Sequence, residues 1–194
     1  FDVVYPPMLD AGNLSQKYDV LIFPDDSLQG GGFGGDPATI PPQFASHVGA
    51  FSDAKSLPQV KKFIEDGGTA LAIGGATGMA YKLGVPVTNA LVDPATNQPL
   101  PQTKFYVPGS VLQAKVDNTS PLAWGMDTKA DVFFDSSPSF KLKPEAAAAG
   151  VKGIASYDSA TPLRSGWGWG QAALKDSVAI VEAPVGKEIG RAHV

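Results

Sequence analysis

Phe63-Ile64-Glu65-Asp66-Gly67-Gly68-Thr69-Ala70-Leu71-Ala72-Ile73-Gly74-Gly75-Ala76-Thr77-Gly78 is the stretch on which the fold reading turns. Phe63 and Ile64 share a helix face with Val60. Gly67-Gly68 stops that helix, and Thr69 to Ile73 is a short apolar run of strand character. Gly74 to Gly78 is then a tight turn opening a second, short helix that ends near Leu83-Gly84, with Pro86 beyond. Upstream, Ser56 is placed to cap the first helix and Pro58 sits near its first turn. Further upstream, Tyr18-Asp19-Val20-Leu21-Ile22-Phe23 reads as a buried strand that stops at Pro24-Asp25-Asp26. Strand, helix, strand, turn and helix in that order predict parallel strands covered by helices.

The reading thins away from this centre. Leu28 to Phe51 is rich in Gly and Pro, includes the run Gly30-Gly31-Gly32-Phe33-Gly34-Gly35, and is expected to be a long surface loop. Val85 to Ser120 is spotted with proline and reads as an insertion or edge region, with short strands at Lys104 to Val107 and Val111 to Val116. Val132-Phe133-Phe134, Gly153 to Tyr157 and Ser177 to Ala183 are further strands, and Ala146 to Ala149 a small helical patch. The chain begins at Phe1 without an initiator Met, so an upstream segment is expected. At the other end, Glu188-Ile189-Gly190-Arg191-Ala192-His193-Val194 resembles the translation of a common sequencing-library adapter. These residues are set aside, which leaves residues 1–187 as one incomplete domain and His47 as its only histidine.

Composition excludes several function classes. The 194 residues are 43% hydrophobic, enough for one sizeable core. A net charge of −4 without a Lys/Arg cluster argues against a nucleic-acid partner. No apolar run approaches the roughly 20 residues that cross a bilayer as a helix. Zero cysteines removes disulfides, thiolate metal sites and cysteine nucleophiles together. No metal site is expected, because a hydrolytic zinc needs about three protein ligands and an isolated His47 cannot assemble them.

The segment Phe63 to Gly75 resembles the approach to the nucleophile turn of the class I glutamine amidotransferase-like fold. In that family a cysteine follows the strand; its position falls here on Gly74, or on Ala76 if the chain is aligned to the pattern G-x-S-x-G. Neither residue can attack a carbonyl, and no counterpart of the family's late histidine and acid is present. No catalytic residue is therefore assigned. A more specific resemblance covers Tyr18 to Asp25, Phe63 to Pro86, Pro121 to Leu142 and Ser165 to Gly186. Its distinctive pieces are Pro121-Leu122-Ala123-Trp124-Gly125, Val132-Phe133-Phe134, Ser139-Phe140 and Ser165-Gly166-Trp167-Gly168-Trp169-Gly170. These resemble the amidotransferase-like C-terminal region of bacterial zinc carboxypeptidase-like proteins. The resemblance implies a flavodoxin-like three-layer sandwich with a mostly parallel sheet, truncated at both ends. It also implies a secreted or periplasmic parent whose upstream peptidase domain holds zinc through His-x-x-Glu and a distant His, and an accessory role without catalysis for this segment.

Seven residues are the candidate ligand-binding positions. Asp25 and Asp26 at a strand end have the chemistry of a cation site or an acid-base pair, although adjacent carboxylates after Pro24 are ordinary loop chemistry and are expected to be structural or solvated. Gly74 and Gly75 offer backbone N–H groups to an anion, although glycine is also what the tight turn requires. Thr77 carries the only hydroxyl in that turn, without an assigned base. Trp167 and Trp169 would project to one side if extended, as a stacking surface for glycan or peptide or as packing.

Overall fold

In the computed structural model of the chain, residues 1–29 and 40–186 are described in full and residues 191–193 by their backbone. They form two units, residues 1–84 with 184–194, and residues 85–183.

The first unit holds α1 (Pro6–Asp10), β1 (Val20–Phe23), α2 (Ser56–Glu65), β2 (Thr69–Ala72) and α3 (Met79–Lys82). Strands β1 and β2 run parallel, from Val20 opposite Thr69 to Phe23 opposite Ala72. Parallel neighbours need a crossover, and α2 supplies it. Its apolar stripe Val60, Phe63 and Ile64 is buried, as the helical spacing requires. The helix ends in paired return bonds, Gly68 N–H to Phe63 O and Gly67 N–H to Ile64 O, both at 3.0 Å, which is the Schellman arrangement. Ser56 does not cap α2. It is the first helical residue, fully buried, and its hydroxyl donates to Asp10 Oδ1 at 2.6 Å while accepting the N–H of Ser52 at 2.9 Å, tying α2 to α1. The backbone of Arg191–His193 runs parallel to β2 on its other edge, from Arg191 opposite Thr69 to His193 opposite Leu71.

The second unit follows a different rule. It contains β3 (Val87–Asn89), β4 (Pro108–Val116), β5 (Lys129–Asp135), β6 (Phe140–Leu142), β7 (Lys152–Tyr157), β8 (Leu163–Ser165) and β9 (Ser177–Pro184). Central β4 pairs antiparallel with β5, β7 and β8. Strand β9 pairs antiparallel with β7 and β6, and β6 with β3. Along β4, Ser110, Leu112, Ala114 and Val116 are buried while Val111, Gln113 and Lys115 turn outward, the alternation of a sheet with one wet face. Leu112 and Ala114 pack with Val107, Phe134, Ala155, Tyr157 and Leu174. The Phe134 ring meets Tyr157 and Phe105 edge to face at 6.2 and 6.0 Å.

The fold is thus mostly antiparallel with few helices, and the expected flavodoxin-like sandwich with a mostly parallel sheet is corrected. Of the strand pairs described, only β1/β2 and β2/β10 (β10 being Arg191–His193) are parallel. The reason lies in the connections. Outside residues 20–72, β4 to β5, β5 to β6 and β7 to β8 are joined by turns and 3-10 segments, with no helix to carry a crossover. Smaller expectations change with it. Lys104 to Val107 is not a strand; within it only Tyr106 makes an isolated bridge, to Trp169. Ala146 to Ala149 is a set of hydrogen-bonded turns, not a helix. The expected loop from Leu28 to Phe51 contains a 3-10 helix at Pro42–His47, and its glycine run lies outside the described residues.

Candidate functional site

Five of the seven candidate positions meet at the carboxyl ends of β1 and β2. The Asp25 carboxylate accepts the N–H of Gly75 at 2.5 Å and that of Asp26 at 2.9 Å through the same oxygen. Such charge-assisted bonds are among the stronger ones available. A Cβ on Gly74, where φ is +57°, would collide with the Asp25 carboxylate, so this turn tolerates only glycine without rearrangement. Asp26 adopts φ +59° and accepts from Gln29 Nε2 at 2.8 Å. Thr77 is buried, and its hydroxyl donates to Gly74 O at 2.6 Å. The residues that could bind an anion or attack a carbonyl are thus bonded to one another. Asp25 occupies the Gly75 N–H, and the Thr77 proton is directed at a backbone carbonyl rather than at a base.

The remaining two candidates build a face on the second unit. Trp169 forms a closely bonded antiparallel pair with Tyr106, N–H to O at 2.8 Å one way and 2.9 Å the other. Residues opposed in this way carry their side chains on the same face of the ladder. The Trp169 indole N–H donates to Thr103 O at 2.9 Å. Trp167 is held through its backbone by buried Ser110, whose hydroxyl accepts the Trp167 N–H at 2.9 Å and donates to Trp167 O at 2.5 Å. Gly168 between them lies against the Val107 side chain in the core. The Trp167 ring meets Tyr106 edge to face at 6.0 Å. Trp167 and Trp169 nevertheless remain 56% and 58% exposed. Backbone and inner side chains are consumed by the fold, and the rings are left to solvent.

Sequence reading missed Tyr106 and Ser110, which complete this face from a segment distant in sequence. No local spacing marks them; only the pairing of Tyr106 with Trp169 does. It also underused His47, which stacks on Tyr5 with ring centres 4.0 Å apart and planes 5° from parallel. Both rings line an open cavity of about 240 Å³ that also touches Asp26, Gln29 and Phe51. Among the described residues, no group of three or more His, Cys, Asp or Glu side chains is placed to hold a metal ion. No described helix is long and apolar enough to cross a membrane.

Comparison with known proteins leaves the site to stand on its geometry. No protein-family model matches this chain, and no curated protein matches it significantly. The two clusters therefore have to be weighed by what their atoms leave available. The strand-end turn has the Thr77 hydroxyl and one oxygen each of Asp25 and Asp26 engaged internally, whereas the aromatic face offers three rings on a hydrogen-bonded backbone.

Proposed function

We propose that this chain is a noncatalytic accessory domain that holds a polymeric substrate on its Tyr106–Trp167–Trp169 face. The parent in this proposal is a secreted or periplasmic zinc carboxypeptidase-like protein, whose upstream peptidase domain supplies the zinc and hydrolyses at a free C-terminus. The observation that carries the binding role is the combination of exposure and anchoring at the two tryptophans. Solvent-facing aromatics on a pre-organised backbone lose little freedom on binding and are the usual energetic centres of recognition. The stretches of resemblance, Pro121 to Leu142 and Ser165 to Gly186 among them, support the parent.

A free-standing glycan- or peptide-binding module is the second reading. It is favoured by the completeness of the face, since Thr103, Tyr106, Ser110, Trp167 and Trp169 all belong to one unit. The two readings part at the gene. Sequencing the uninterrupted reading frame upstream of Phe1 should reveal His-x-x-Glu and a distant His; a frame that opens without a peptidase overturns the accessory role. The binding role itself is tested with Trp167→Ala combined with Trp169→Ala. Retention on columns of immobilised glycans and peptides should fall by about 30-fold or more in affinity, while the thermal midpoint stays close to that of the parent chain. Retention that the double variant leaves unchanged removes the face from the function.

A further inference from the structure

We infer that the outer edge of β1 is a self-recognition surface, on which a second copy of this chain adds its own β1 antiparallel to form a two-fold dimer. The contact lies within the first unit and does not depend on the aromatic face or on the parent proposed above.

The phase of the backbone decides which residues face the edge. Strand β1 is the terminal strand of its sheet, with β2 on one side and no described strand on the other. The N–H groups of Thr69 and Ile73 bond Asp19 O and Phe23 O at 2.9 and 3.0 Å. A parallel ladder uses alternate residues of each strand, so Asp19, Leu21 and Phe23 bond toward β2, and the N–H and C=O groups of Val20 and Ile22 point outward. Among the described residues nothing bonds those groups. An edge left open in this way accepts another extended strand.

The side chains of the same two residues are also uncovered. Val20 and Ile22 are 51% and 60% exposed, on the opposite face of β1 from buried Leu21 and Phe23. Strands of a parallel pair are ordinarily buried on both faces, so this apolar surface is out of keeping with its setting. Val20 to Phe23 also contains no charge, proline or glycine, the usual devices that blunt a sheet edge.

A second copy is selected because the edge is complementary to itself. A two-fold axis through Leu21 sets Val20 of each copy opposite Ile22 of the other. These are the outward-bonding residues, so each pair exchanges two backbone hydrogen bonds, and the exposed side chains meet as one apolar cluster. The same axis sets Asp19 opposite Phe23 and brings Lys17 of one copy toward Asp25 of the other, so that no carboxylate meets a carboxylate. Among the described residues Lys17 forms no ion pair, and one oxygen of Asp25 is unused. Pro24 falls opposite Tyr18 and, having no N–H, ends the ladder there. A two-fold contact of this kind closes on itself, giving a dimer and not a fibre.

Two four-residue strands cover far less than the roughly 1,200 Å² of a standard complex, so the dimer is a weak one, populated as the chain approaches about 1 mM. Disulfide trapping reads both its existence and its register, and the chain has no cysteine of its own to interfere. Val20→Cys and Ile22→Cys are made separately in the full chain, at exposed positions, and the thermal midpoint of each checks its folding. In the inferred register Cα atoms of residues 20 and 22 across the axis lie about 5.5 Å apart, within disulfide reach, whereas two residues 20 or two residues 22 lie roughly 8–9 Å apart and out of it. With diamide as oxidant, an equimolar mixture should form the mixed dimer at least about 10-fold faster than either variant alone forms its own dimer. Adding Lys17→Glu to both chains should slow the mixed dimer by about 3-fold or more, and Lys175→Glu, the same charge change in the second unit, should leave its rate nearly unchanged. Equal rates for all three dimers mean random collision and overturn the inference, as does faster trapping of 20 with 20 or 22 with 22, or no trapping of the folded variants. Equal slowing by Lys17→Glu and Lys175→Glu shows general charge repulsion in place of a matched edge, and overturns the self-complementary pairing.

Discussion

At the ends of β1 and β2, Asp25 and Thr77 turn their polar atoms onto the backbone of Gly74 and Gly75. At the Tyr106/Trp169 bridge it is the backbone and the buried Ser110 hydroxyl that are consumed, and the rings stay outside. Both regions are local clamps between segments distant in sequence. They differ in what the clamp uses up. In the first, the groups with chemical potential are the clamp, so rigidity is obtained by spending the candidate nucleophile and anion-binding atoms. In the second, the clamp is made from groups with no other use, and rigidity leaves the ligand-facing atoms available. A cluster of reactive residue types therefore says little about function until the fate of each donor and acceptor is known.

The contrast breaks most visibly at Gly170. Its φ is +69°, and a Cβ there would run into the carbonyl oxygen of Lys104, next to the Tyr106/Trp169 ladder. Gly170→Ala carries both the left-handed penalty and a clash with backbone that cannot swing away. A loss of about 2–5 kcal/mol is expected in urea unfolding, together with loss of ligand retention. A variant that unfolds at the same urea concentration as the parent chain would show that the ladder is not a rigid support.

The parts of this fold that could be read from the sequence are those encoded within a few residues. Val60, Phe63 and Ile64 at helical spacing, the Gly67-Gly68 stop and the strand character of β1 and β2 all name their own structure, but the expected burial of β1 is met only on one face, since Val20 and Ile22 are exposed. The second unit could not be read in the same way, because antiparallel pairing is decided between strands that one-dimensional patterns do not connect. One local clue was there: Gln113 and Lys115 alternate with Leu112, Ala114 and Val116, which marks a strand wet on one face rather than the doubly buried strand of a parallel sheet. Within a stretch that reads as an insertion or edge region, this alternation is the one pattern that points away from a parallel sheet. The candidate site divides similarly. The Gly168 spacer and its flanking indoles are visible in Trp167-Gly168-Trp169, whereas Tyr106 and Ser110 join them only through hydrogen bonds across the sheet.

A smaller effect sharpens the comparison from the other side. Thr77→Val keeps the shape of the buried residue and removes its part-buried bond to Gly74 O. About 1–2 kcal/mol of stability should be lost, and Thr77→Ser should recover most of it. Ligand retention per folded molecule should be the same in all three proteins. If Thr77→Val instead abolishes binding or a turnover while the chain stays folded, the hydroxyl has a role beyond the clamp, and the division drawn between the two regions fails.

The smallest expected effect lies in the ion pair beside the aromatic face. Lys104, by its hydrogen bond first and then with help from the Ala95 N–H, holds the Asp93 carboxyl below its ordinary value of 3.8. A carboxylate whose folded value is depressed stabilises the fold above its unfolded value and ceases to do so as pH falls through the folded one. The pair should therefore be silent from neutrality down to about pH 4 and weaken below it. Lys104 adjoins Thr103, whose carbonyl anchors the Trp169 indole, so the change should be visible as a shift in tryptophan emission before the chain unfolds. Lys104→Met should remove that acid step. Because the pair is solvent-exposed, about 1 M salt should shrink the step as well. An acid step that survives both treatments would mean that another carboxylate controls the face.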